Sequence, residues 1–177
     1  MQANSIAIRP GWQPGALGRI VEMHGLYYAR EHGFGPAFES RVAAGLAEFA
    51  ARLASPRNGL WLALDGAVVM GAVAIDGEDL GDGCAHLRWF VMDDRCRGQG
   101  VGRRLLQEAL AFCDAQGFSA TQLWTFRGLD AARRLYEQVG FTLAHEQPGT
   151  TWGTAVMEQH FVRRRPAAAG SAPGHRQ

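Results

Sequence analysis

Residues 85–116, AHLRWFVMDDRCRGQGVGRRLLQEALAFCDAQ, decide how this chain is read. Residues 85–92 are bulky and suit a strand. Strict alternation along them puts His86, Arg88, Phe90 and Met92 on one face. Residues 93–97 are a polar break. From about Gly98 to Gln116, the residues Gly102, Leu105, Leu106, Ala109, Leu110 and Cys113 share one helical face. Between strand and helix stands Arg97-Gly98-Gln99-Gly100-Val101-Gly102. Its glycines allow positive φ and let a ligand approach the backbone closely. The first turn of a helix carries unpaired N–H groups and the positive end of the macrodipole. Arg97, Arg103 and Arg104 add cations. The run therefore predicts a site for a phosphate or pyrophosphate.

Working outward, residues 5–9 alternate as a short strand and stop at Pro10-Gly11. Leu17, Ile20, Val21, His24 and Tyr28 fall at helical spacing over residues 15–30. Phe38, Val42, Leu46, Phe49 and Leu53 do so over residues 36–54, with Pro56 and Gly59 as the stop. Residues 60–64 and 68–75 are apolar runs joined through Asp65-Gly66, a hairpin signal. An acidic turn, residues 77–83, leads into the strand already described. Residues 122–126 predict a strand and 129–139 a helix ended by Gly140. Residues 141–146 and 154–162 predict the last two strands. The order is that of a layered, mixed α/β fold in one domain over residues 1–162. Residues 163–177, rich in Arg, Pro, Ala and Gly without periodicity, read as a disordered tail.

Composition removes several classes of function. All 18 basic residues are Arg, and 17 acidic residues leave a net charge of +1. Near-neutrality argues against a nucleic-acid partner. Without Lys there is no Walker phosphate loop and no pyridoxal Schiff base. A Rossmann fingerprint would place its third glycine one residue later than Gly102. Cys84, Cys96 and Cys113 lack metal-ligand spacing and are odd in number, which points to free thiols. No metal site is expected. The start lacks the pattern of a signal peptide, and no apolar run is long enough to span a membrane. The expectation is a soluble protein of the cytoplasm.

Two motifs now resemble one family. Arg97, Gly100 and Gly102 match the Arg/Gln-x-x-Gly-x-Gly/Ala phosphate motif of the GNAT N-acetyltransferases. Ala132, Tyr136, Gly140 and Phe141 match that family's later Ala-x-x-x-Tyr-x-x-x-Gly-Phe pattern. The resemblance covers residues 5–162. It implies a mostly antiparallel mixed sheet of about six or seven strands flanked by about four helices. It implies acetyl-coenzyme A as co-substrate and direct transfer of its acetyl group to an amine of a small molecule or peptide. A non-catalytic acyl-coenzyme A sensor is the alternative. Phosphates would be held by Gly98, Gln99, Gly100, Val101, Gly102 and Arg103, with Arg97 beside them. The strand would part from its neighbour and offer Phe90 and Met92 to the pantetheine arm. Tyr136 would protonate the leaving thiolate. His86 occupies the position of a family Glu that serves as base, with His24 and Glu31 as competitors. Arg88, a charge in an apolar strand, pairs internally or binds an acceptor carboxylate. Tyr28 and Glu31, with the aromatic residues Trp12, Tyr27, Phe34 and Phe38, would border the acceptor, and Trp152 would close the pocket or a dimer contact. Family members often form homodimers. Leu129 departs from the family, which often has Asn there. His24-Gly25-Leu26-Tyr27-Tyr28-Ala29-Arg30-Glu31-His32-Gly33-Phe34 and Leu123-Trp124-Thr125 further resemble the acetyltransferase half of MarR–GNAT fusion proteins, of which this chain would be a free-standing version.

Overall fold

The hairpin signal at Asp65-Gly66 joins two neighbouring strands of a seven-stranded sheet in the computed structural model, which describes residues 6–166. The strands are β1 (Ala7–Pro10), β2 (Gly59–Asp65), β3 (Val68–Asp76), β4 (Cys84–Met92), β5 (Ala120–Phe126), β6 (Thr142–Gly149) and β7 (Val156–Arg164). The helices are α1 (Ala16–His32), α2 (Pro36–Ala50), α3 (Val101–Gln116) and α4 (Asp130–Gln138). Their spatial order is β1-β2-β3-β4-β5-β7-β6. Every neighbouring pair is antiparallel except β4 with β5.

Helices cover both faces of the central strands, so β2 and β3 are buried almost throughout. Period-two alternation divides their side chains. Leu60, Leu62, Ala72 and Ala74 pack under α1 and α2 with Ile20, Leu46 and Phe49. Trp61, Ala63, Val73 and Ile75 pack under α3 with Leu105, Leu106 and Ala109. The outer strand β6 is largely exposed, as befits an edge.

Two boundaries differ from the sequence reading. The last strand passes Val162 and runs to Arg164, so the irregular segment does not begin at residue 163. Arg163 is anchored there by two 2.8 Å hydrogen bonds to Asp114 of α3. Residues 167–177, and Ser5 at the start of the first predicted strand, lie outside the described residues. Helix α2 ends at Ala50 rather than near Ala54, and the chain continues in tight turns. The cause is Arg52. It turns back to give Asp76 two hydrogen bonds, at 2.9 and 2.7 Å. Asn58 donates to the Arg52 carbonyl at 2.9 Å and accepts the Gly77 N–H at 2.9 Å, closing the knot.

Asp76 has no exposed surface. Burial, the largest influence, pushes its carboxyl up, but hydrogen bonds from Arg52 and the Glu78 N–H, with the charges of Arg52 and Arg88, hold it below 3.8. A depressed pKa stabilises the fold above the unfolded value and loses that contribution as pH falls through the folded one. Arg52→Ala strands a buried carboxylate, and the loss is expected to be about 2 kcal/mol because the guanidinium is partly exposed. Urea unfolding checks this: the gap between wild type and variant should be full at neutral pH and close as pH drops below about 4.

Candidate active site

The parallel pair β4–β5 holds together over a short stretch only. Cys84, Ala85 and His86 pair with Ala120, Thr121 and Gln122, and beyond them the strands part. The backbone of β4 past His86 therefore faces a gap with no β5 partner. A bulge adds to this. Between Ala72 and Ala74 of β3 the register shifts, so Trp89 and Phe90 both oppose Val73. Trp89 takes φ +48°.

The bulge corrects the single-face reading of this strand. An extra residue reverses the alternation. His86 and Arg88 face α1 and α2, as does Trp89, which packs at 5.4 Å from Phe49. Phe90 and Met92 face α3 and α4, where Phe90 lies 5.9 Å from Tyr136. The strand thus presents two chemistries to two cavities.

The first cavity, about 390 Å³, is a cleft between β4, α3 and α4. Arg97, Gly98, Gly100, Gly102 and Arg103 line it, with Phe90, Met92, Tyr27 and Leu129. Gly98 and Gly100 both take φ +72°, which folds the turn back over the head of α3. The first helical bond runs from the Arg104 N–H to the Gly100 carbonyl at 3.1 Å. The N–H groups of Val101, Gly102 and Arg103 are left directed out of the helix end. A Cβ on Gly102 would stand 3.2 Å from the Phe90 ring, so this glycine keeps the cleft open. Donor set and cradle fit a pyrophosphate. Arg97 pairs with Asp94 at 2.7 Å and lies over the Tyr27 ring. Gln99 donates its amide to the Arg95 carbonyl and Val101 is buried, so these two contribute backbone only. Leu129, where the family often has Asn, is an apolar wall.

The second cavity, about 510 Å³, lies under α1 and α2. Tyr28 and Phe90 border both cavities, so the two meet there. Tyr136 lines the second; burial, and secondarily Tyr28, push its phenol far up, so it stays protonated. His86 holds Asp79 at 2.6 Å through Nδ1 and meets the Trp124 ring edge-on. Arg88 lies over Trp89, 3.6 Å from Asp79 and 3.7 Å from Asp76. Those separations are ion pairs without hydrogen bonds, so among the described residues its donors have no acceptor. Burial lowers its pKa, while Asp79 and Asp76 oppose the shift. Phe38, Phe126 and Trp152 form aromatic walls.

Glu31 stands apart. It pairs with Arg30 at 2.6 Å and borders neither cavity. Trp12 is exposed on the surface. Conversely, the sequence reading missed Asp79, Arg41 and Glu48. Asp79 lies in an acidic turn with no pattern to single it out. Arg41 and Glu48 face the cavity from α2, and their spacing from Phe38 and Val42 on that helix is the signal that could have found them.

Comparison with known proteins agrees with this layout. The chain is 30% identical to the N-acetylaspartate synthetase of Xenopus tropicalis over 115 residues, 62% of this chain and 41% of that protein. It is 29% identical to human N-acetyltransferase 8B over 56% of this chain and 44% of the relative. The aligned part thus spans less than half of each of these relatives. The Salmonella typhimurium protein yncA, solved with its cofactor acetyl-CoA, superposes with a TM-score of 0.72 at 18% identity, over 96% of this chain and 99% of that one. Ribosomal-protein-alanine N-acetyltransferase from Brucella melitensis superposes at 0.72 with 13% identity, over 89% and 99%. The family model for the acetyltransferase (GNAT) family matches residues 26–141, more than half of the sequence, and the chain belongs to that family.

Proposed function

We propose that this protein transfers an acetyl group from acetyl-coenzyme A to the nitrogen of a small amine that also carries a carboxylate. The observation that carries this reading is the junction of the two cavities at Tyr28 and Phe90, with Tyr136 in its wall. Acetyl-coenzyme A supplies an activated thioester. The N–H groups of Val101, Gly102 and Arg103 hold its pyrophosphate, with Arg97 and Arg103 as counter-charges. The free backbone of β4 beside Phe90 and Met92 takes the pantetheine arm. In the transfer a C–N bond forms, the C–S bond breaks, the nitrogen loses a proton and the sulfur gains one. Tyr136, held neutral by burial, donates to the departing sulfur.

His86 is set for the other proton. Asp79 takes its Nδ1 hydrogen, leaving Nε2 as acceptor. It stands four residues before Phe90 on β4, about 13 Å along a strand. His86 therefore forms the outer end of a water-mediated path rather than touching the nucleophile. Arg88 and Arg41 face the cavity from β4 and α2 and suit a carboxylate. Four matched relatives named N-acetylaspartate synthetase make aspartate the first acceptor to test. Kinship with the MarR–GNAT acetyltransferases is supported by residues 24–34. A cytoplasmic location is supported by three free cysteines; no described helix is long and apolar enough to cross a membrane.

Thiol release from acetyl-coenzyme A with a panel of amines tests the reading. Binding without release for any amine would make the protein a sensor. Tyr136→Phe should lower kcat about 100-fold while calorimetric coenzyme A affinity holds. Arg88→Ala should raise KM about 10- to 100-fold for carboxylate-bearing amines and leave carboxylate-free amines unchanged. Equal losses for both kinds of acceptor would remove the carboxylate role.

A further inference from the structure

The imidazole of His24 lines the second cavity. His24, on α1, is only 5% exposed. Its Nδ1 lies 2.8 Å from the Ile20 carbonyl oxygen. A carbonyl can only accept, so Nδ1 carries the hydrogen and Nε2 carries the lone pair. Nε2 has no hydrogen-bond partner among the described residues, yet no buried polar side-chain atom among them is sealed without one. That lone pair therefore opens onto the cavity that His24 lines. An acceptor so placed costs stability unless a donor reaches it.

Its position matters as much as its chemistry. The ring stacks on Tyr28, one helical turn on, with centroids 6.0 Å apart and planes at 10°. Tyr28 borders both cavities, so His24, which lines the second, stands beside a residue of the junction where the transferred group would pass. His86 is far down the strand by comparison. Burial lowers the His24 pKa to about 4, against the smaller opposing effect of the Ile20 hydrogen bond. At neutral pH the ring is uncharged and Nε2 is an acceptor only.

We propose that His24 Nε2 accepts a hydrogen bond from the acceptor's nucleophilic nitrogen and orients it toward the thioester. This rests on the acetyl-transfer reading and deepens it. The neutral lone pair cannot hold a carboxylate, so the substrate enters one way round. Its nitrogen lies toward His24 and Tyr136, and its carboxylate toward Arg88 and Arg41. His24 thereby selects acceptors whose amine bears a free N–H at one end.

The test compares wild type with His24→Phe, which keeps a stacking ring but no acceptor, and His24→Gln, whose side-chain oxygen restores one at similar reach. For each amine that the wild type acetylates, the Phe variant should lose about 10- to 100-fold in kcat/KM, the size of a hydrogen bond to a charged or reacting group. The Gln variant should recover part of the loss, and coenzyme A affinity should hold in both. Turnover by wild type with an unchanged Phe variant overturns this proposal alone. Absence of turnover with every amine overturns the acetyl-transfer reading and this proposal with it. Should the Phe variant fail to fold, nitrogen NMR of histidine-labelled wild type with coenzyme A bound decides. The His24 Nε2 resonance should move upfield with the fastest amine of the panel and stay in place with its deaminated counterpart. No movement at saturating amine overturns the assignment.

Discussion

The parting of β4 from β5 after His86 is the constraint on which the remaining geometry depends. A fully paired parallel strand would spend on β5 every N–H and C=O of β4 that points away from β3. Releasing them leaves a polar edge inside the protein, which only a ligand or water can satisfy. The bulge at Trp89 then turns alternate side chains to opposite faces of the sheet. Its φ of +48° costs about 1 kcal/mol for a bulky residue. The Trp89 ring is held by Phe49 at 5.4 Å and by the Arg88 guanidinium at 4.1 Å, contacts that offset the strain. The consequence is that one strand lines the first cavity with Phe90 and Met92 and the second with His86 and Arg88.

Charges on the acceptor side need support because they stand in an apolar layer. Arg88 approaches Asp76 and Asp79 without bonding to either. Asp76 is already committed to Arg52, and Asp79 to His86. The two carboxylates lower the cost of burying Arg88 while leaving its donors unspent.

Much of the fold was legible because its signals are local. Hydrophobic period, Gly stops and the Asp65-Gly66 turn located each helix and strand, with ends shifted by a few residues. The glycine turn at the head of α3 was legible for the same reason, since a helix start and its glycines lie within six consecutive positions. The face of Phe90 and Met92 was not, because a bulge depends on pairing with β3 and leaves no mark in an alternating apolar run. The end of α2 was missed because Arg52 answers a carboxylate 24 residues later. Asp79 was invisible on the same grounds: only the fold brings an acidic turn against His86.

The two cavities differ in how they are made, and this difference governs what kinship can transfer. The cofactor cleft is built largely from backbone: glycine φ values, N–H groups at a helix end and the free edge of a strand. Such features tolerate divergence in side chains, because they depend on chain geometry more than on side-chain identity. The acceptor cavity is built from side chains contributed by α1, α2, β4, β5, α4 and the loop at Trp152. Each can change without disturbing the sheet. Resemblance therefore carries further for the acetyl donor than for the amine, and the acceptor must be inferred from the groups present in this chain. Those groups are polarised: guanidinium donors on β4 and α2, and a neutral imidazole lone pair with a protonated phenol at the junction. The proposed substrate, with a carboxylate and a free N–H, is complementary to both ends at once, whereas a simple alkyl amine would offer the donors of Arg88 and Arg41 no acceptor.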